Sequence, residues 1–97
     1  MLRCVIRSFA DANTERLFMA GRSKHVPADV LERAKRKLAM LDGATDLRDL
    51  ASPPGNRLEA LRGDRQGQHS IRINDQFRVC FRWHNGDAYE VEVTDYH

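Results

Sequence analysis

Arginine, glutamate, tyrosine and histidine are the chemically capable side chains of residues 68–97. Arg72, Arg78 and Arg82 alternate with apolar residues there, and the sequence closes on Asp95-Tyr96-His97. Such a set can break an RNA phosphodiester without a metal. A base takes the proton of the 2′-OH, a cation stabilises the phosphorane-like charge, and an acid protonates the departing 5′ oxygen. DNA lacks that nucleophile. The chain's own carboxylate lies beside the His97 imidazole and should favour its protonated form. Each residue also has a plainer reading: an idle terminal His97, a Tyr96 that merely caps the core rather than stacking on a base or moving a proton, and an Arg78 paired on the surface with Glu92. The sequence has no HExxH, CxxC, EF-hand, Walker, GxGxxG or GxSxG motif, so no metal and no cofactor is expected.

These groups need a frame that aims them. Ile71 and Ile73; Phe77, Val79, Phe81 and Trp83; and Tyr89, Val91 and Val93 each alternate with polar residues. Period-two alternation predicts three antiparallel strands with one buried face. Asn74-Asp75 suits the first turn. For the second, a two-residue loop at Asn85-Gly86 would set Phe81 against Glu90. A three-residue loop, His84-Asn85-Gly86, instead pairs Phe81 with Tyr89, Val79 with Val91 and Arg78 with Glu92, with Gly86 as a left-handed bulge residue.

The rest of the chain completes the core. Residues 4–9 read as a first strand partly buried on both faces. Asp11 or Asn13 could cap a helix over 14–20 that stops at Gly21, with Leu17, Phe18 and Ala10 inward. A second helix is expected over 27–41, with Leu31, Ala34, Leu38 and Leu41 on one face. Its remaining surface carries Arg33, Lys35, Arg36 and Lys37, which either solvate the helix, track a nucleic-acid backbone or meet an acidic partner. One further turn over 45–50 tucks in Leu47 and Leu50, and residues 57–61 form a strand. The order β-α-α-β-β-β-β describes an α+β domain over 1–97: a twisted, mainly antiparallel sheet with two helices on one face and a platform bearing Arg72, Arg78, Arg82 and Glu59 on the other.

The 97 residues suffice for one modest core. At 41% hydrophobic and 31% charged, the composition is that of a soluble globular domain. No apolar run approaches the roughly 18 residues of a membrane span, and no signal-peptide pattern opens the chain. Cys4 and Cys80 read as free thiols of a reducing cytoplasm. Residues 1–41 hold nine Lys/Arg against four Asp/Glu, and residues 42–97 hold seven against ten. Thirteen of the sixteen basic residues are arginine, whose planar fork suits phosphate, although abundant arginine on solvated faces gives the same composition.

The runs RLEALRGDR (57–65), GQHSI (67–71), QFRV (76–79), NGDAY (85–89) and the final DYH together resemble HigB-type toxins of the RelE/ParE toxin–antitoxin superfamily. The resemblance spans nearly the whole chain, and the motifs are specific in combination. It implies a RelE-like fold and ribosome-dependent cleavage of messenger RNA in the decoding site. It further implies a HigA-type helix-turn-helix antitoxin, through which alone the toxin would meet DNA. By position it assigns Arg78 to transition-state charge, Asp95 to positioning, Tyr96 to stacking or orientation, and proton transfer to His97 and Glu59. Some relatives carry histidine where this chain has Glu59, so the general base is Glu59 or His97. Arg62 and Arg65 would contact phosphate. Arg36, Lys37, Arg72 and Arg82 complete the expected RNA-binding set. The rival readings are a ParE-like poison of DNA gyrase and a non-enzymatic module whose basic helix docks an acidic peptide.

Overall fold

The computed structural model describes residues 4–52 and 54–95. Two helices, α1 (Ala12–Ala20) and α2 (Ala28–Asp42), precede four strands: β1 (Glu59–Ala60), β2 (His69–Arg72), β3 (Phe77–His84) and β4 (Asp87–Asp95). The strands lie in chain order and each pairs antiparallel with the next. Asp11 caps α1 by accepting from the Thr14 amide, and Gly21 ends it at φ 73°, the left-handed stop that glycine takes without a Cβ clash. Pro27 sits one position before α2 rather than in its first turn. The buried stripe of α2 is Val30, Ala34, Leu38 and Leu41, with Leu31 only partly covered. Ala10 is exposed, and Thr14 instead joins Leu17 in the core face of α1. Thr14 Oγ1 accepts from the Val93 amide at 3.0 Å, fixing α1 to β4.

Both helices contribute to one core with Ile71, Phe77, Val79, Phe81, Ala88 and Val91 of the sheet. The expected first strand is reduced to two parallel bridges along β4, Ile6 with Ala88 and Phe9 with Val91. Val5 accepts from Ala88, and the amides of Arg7 and Ala10 donate to the carbonyls of Ala88 and Val91. Asp42 holds the segment from the other side, through its carbonyl to the Val5 amide and its carboxylate to the Ile6 amide. The strand expected over 57–61 is confined to Glu59–Ala60. No helix among the described residues is long and apolar enough to cross a membrane.

The β3–β4 register corrects the expected three-residue loop. Asn85-Gly86 is a two-residue turn closed by His84 opposite Asp87. Asn85 and Gly86 take φ 51° and 82°, the primed-turn arrangement that matches strand twist. The parity conflict is resolved further along the ladder. Tyr89 faces Arg82 and Glu92 faces Cys80, so Phe81 alone opposes Glu90 and Val91. Glu90 is the bulge residue at φ 53°, and its amide donates to Ser8 Oγ. Beyond the bulge Val79 pairs with Val93, and Arg78 with Thr94 rather than Glu92. The bulge sets Ala88 and Val91, three residues apart, both into the core and both against the N-terminal segment. Alternation would have put them on opposite faces.

Candidate active site

Arg78 projects from β3 on the face away from the helices. Its neighbours Phe77 and Val79 are buried in the core, and a strand sends successive side chains to opposite sides. The guanidinium is held on several sides. Nε donates to Ser70 Oγ at 2.7 Å, Nη2 donates to the Arg57 carbonyl at 2.7 Å, and Nη2 lies 3.4 Å from Glu59 Oε1. The side chain is only 12% exposed and Glu59 is 52% exposed, so a clamped cation sits beside a carboxylate open to a ligand. Charge-assisted hydrogen bonds of this kind are short and orienting. The expected pair with Glu92 does not form, because the bulge moves Glu92 opposite Cys80.

The Arg57 carbonyl reaches Arg78 through an uncommon backbone conformation, with Arg57 at φ 46°. A non-glycine residue there stores local strain that its surroundings must hold. The preceding residue supplies that hold. Asn56 is fully buried, accepts from Lys37 Nζ of α2, and donates to the Leu50 carbonyl and the Met40 sulfur, each at 3.0 Å. Neither Ser70 nor Asn56 stood out in the sequence. Ser70 alternates with Ile71 as any polar-face residue would, and its meeting with Arg78 depends on the pairing of Ser70 with Cys80 across β2–β3.

Arg65, just beyond β1, enters the same face. Its Nη1 donates to Gln68 Oε1 at 3.0 Å and to Glu92 Oε1 at 3.1 Å. Cys80 lies buried beneath this group, and its burial pushes the thiol pKa up, which makes it a poor nucleophile. Arg82 continues the row and pairs with Glu90 at 2.7 Å. Gly67, at φ 94°, lets Arg82 approach, since a Cβ there would stand 2.7 Å from Nη1. Arg62 is exposed past the end of β1, on an open depression of about 610 Å³ that Glu59 also lines. His69 stacks on Phe81, with ring centroids 6.3 Å apart, and so belongs to the core side of β2.

The remaining predicted residues are distributed differently. Asp95 ends β4 opposite Phe77 and accepts from Gln76 Nε2 at 2.9 Å. Strand alternation therefore sets Thr94, not Asp95, across from Arg78. Tyr96 and His97 lie outside the described residues. Arg72 is the strand partner of Arg78, yet its side chain turns toward the β2–β3 hairpin, where Nε donates to the Asn74 carbonyl and Nη2 pairs with Asp75. There it lines a cavity with Arg36 and Lys37 of α2 rather than the platform. Lys37 has a lowered pKa, first through burial and then through Arg33 and Arg36. Among the described residues no group of three His, Cys, Asp or Glu side chains could hold a metal ion.

Residues 7–97 match a family model described as the RelE-like toxin of the type II toxin–antitoxin system HigB. The chain is 36% identical to Endoribonuclease HigB of Proteus vulgaris over 93 residues, covering 96% of this chain and 100% of that protein. It is 43% identical to Toxin HigB-1 of Vibrio cholerae serotype O1 over 67 residues, 69% of this chain and 70% of that one. The YoeB-YefM complex from Staphylococcus aureus contains a chain of similar fold. The TM-score is 0.59 at 14% identity, over 95% of this chain and 97% of the other.

Proposed function

The chain belongs to the HigB-like family of RelE-like toxins of type II toxin–antitoxin systems, and from that premise we propose that it is an endoribonuclease that cuts messenger RNA on the ribosome. The clamped Arg78 beside Glu59 carries the reading. A guanidinium fixed before substrate arrives suits charge that develops on a transferring phosphoryl group, because it need not reorganise during reaction. In the proposed step the 2′ oxygen attacks phosphorus, the P–O5′ bond breaks, and a 2′,3′-cyclic phosphate and a 5′-OH result. Glu59 and His97 divide the proton transfers: one takes the 2′ proton and the other returns one to O5′, while Tyr96 stacks on or orients a base. Arg65, Arg62 and Arg82 border the platform and would hold flanking phosphates. Asp95 would position the residues that follow it. No metal ion is assigned a part in this step.

As a type II toxin the chain has an antitoxin partner; we propose one of the HigA type with a helix-turn-helix, and a cytoplasmic site of action. The test is cell-free translation followed by mapping of mRNA 5′ ends. The unaltered chain should cut translated mRNA, and free mRNA far less. Arg78→Ala should abolish the new ends while circular dichroism stays unchanged. Cleavage that survives Arg78→Ala, or DNA breaks in cells with intact mRNA, would overturn the reading.

A further inference from the structure

A second basic site lies around the sheet edge from Arg78. Arg33, Arg36 and Lys37 project from α2 toward Arg72 and Asn74 of the β2–β3 hairpin, enclosing a cavity of about 390 Å³ with Gly55 at its rim. Arg33 and Arg36 are exposed, and among the described residues neither is in an ion pair. One carboxylate, Asp75, meets Arg72 at the hairpin. Burial and the two neighbouring arginines lower the Lys37 pKa, the behaviour of cations gathered without enough counter-charge. Arg33, Arg36 and Lys37 share one face of α2 at i, i+3 and i+4, and the tertiary structure sets that face against a strand arginine across a concavity.

We propose that this cleft is a phosphate-binding site for the backbone of a nucleic-acid strand, separate from the platform where Arg78 sits. The inference rests on the endoribonuclease reading for the identity of the strand as RNA. Arg72 joins the two sites: it is the cross-strand partner of Arg78, and such partners have Cα atoms about 5 Å apart. A strand with its scissile phosphate at Arg78 can therefore continue around the edge into the cleft. Three of the four cations are arginines, whose forks bind phosphate oxygens in pairs. Asn74 is the one uncharged polar side chain lining the cavity, and with the cations engaged on phosphate oxygens binding should depend little on sequence.

Gly55 offers a clean perturbation. A Cβ built there meets nothing within 4 Å, and its backbone needs no positive φ. Gly55→Glu therefore brings a carboxylate to the rim without disturbing the packing, and Gly55→Ala is its neutral control. Binding of a fluorescent 2′-O-methyl RNA oligonucleotide, which lacks the attacking hydroxyl, is followed by anisotropy over a salt series. Arg33→Gln/Arg36→Gln should weaken binding and lower the slope of log K against log salt by about 1.4, at about 0.7 for each lost single-strand contact. Gly55→Glu should weaken binding too, and Gly55→Ala should match the unaltered chain. Unchanged affinity and slope in both charge variants would overturn the proposal. So would an oligoglutamate peptide whose binding requires Arg33 and Arg36 while RNA affinity does not, which would make the cleft a protein-docking site. Because this oligonucleotide cannot be cut, the result stands apart from the cleavage assay, and failure of either reading is visible without the other.

Discussion

Ser70→Ala removes one oxygen and tests whether Arg78 is held in place or merely located. Ser70 is fully buried and its Oγ accepts from Arg78 Nε at 2.7 Å. Water cannot readily replace that acceptor. A hydrogen bond to a charged group contributes about 1.5–3 kcal/mol, against about 5–15 kcal/mol for a whole domain, so the variant should fold while losing a sizeable share of its stability. With a urea slope of about 1–3 kcal/mol per molar, the midpoint should fall by about 1 M. The melting temperature should fall on the order of 10 °C. Cleavage should drop less than in Arg78→Ala, because Nη2 keeps the Arg57 carbonyl and Glu59. Ser70→Thr, which retains the hydroxyl, should restore most of the rate. A double-mutant cycle with Arg78→Met separates the pair from general packing: in that background the Ser70→Ala effect should shrink to a few tenths of a kcal/mol. An unchanged urea midpoint together with unchanged mRNA cleavage would refute the clamp.

Three further outcomes follow from the same contacts. Asn56→Ala should cost about 1–3 kcal/mol in urea unfolding, since it strands the buried Leu50 carbonyl; it should also slow cleavage by loosening Arg57. Thiol titration of the native chain should find one fast group, exposed Cys4, and a second, Cys80, only in denaturant. Asp49 accepts from the Thr45 hydroxyl and from the Thr45 and Asp46 amides, and these bonds lower its pKa in the folded chain. Its contribution to stability is thus full above the unfolded value, about 3.9, and is lost as pH falls through the lower folded value. The stability gap between the unaltered chain and Asp49→Asn, measured by urea melts, should accordingly narrow below about pH 4.

Much of the framework is written in short-range patterns. Period-two alternation places the strands from Ile71 onward, the i, i+3, i+7 spacing places α2, and Asp11 and Gly21 bound α1, because each depends only on neighbours along the chain. The same alternation puts Arg78 on the polar face. Parity even requires one extra residue somewhere in the β3–β4 hairpin, but parity is conserved wherever that residue sits, so the pattern cannot distinguish a longer turn from a bulge. The N-terminal segment decides it, by docking on Ala88 and Val91 and leaving Glu90 to bulge against Phe81.

That placement settles which side chains meet. It sends Glu92 to Arg65 and leaves Arg78 to Ser70, Glu59 and the strained carbonyl of Arg57, contacts made across strands and loops rather than between neighbours along the chain. It also sets Asp95 against Phe77. The basic ridge of α2 is visible in the sequence as a run of charges, but its closure into a cleft with Arg72 is not. Helical periodicity fixes a residue's angle around its own axis and says nothing of what stands opposite; only the packing of α2 over the β2–β3 edge supplies the facing arginine. Residue types and local spacing thus determined most of the elements, while long-range register and helix–sheet packing chose the partners, because those depend on distances that no local pattern encodes.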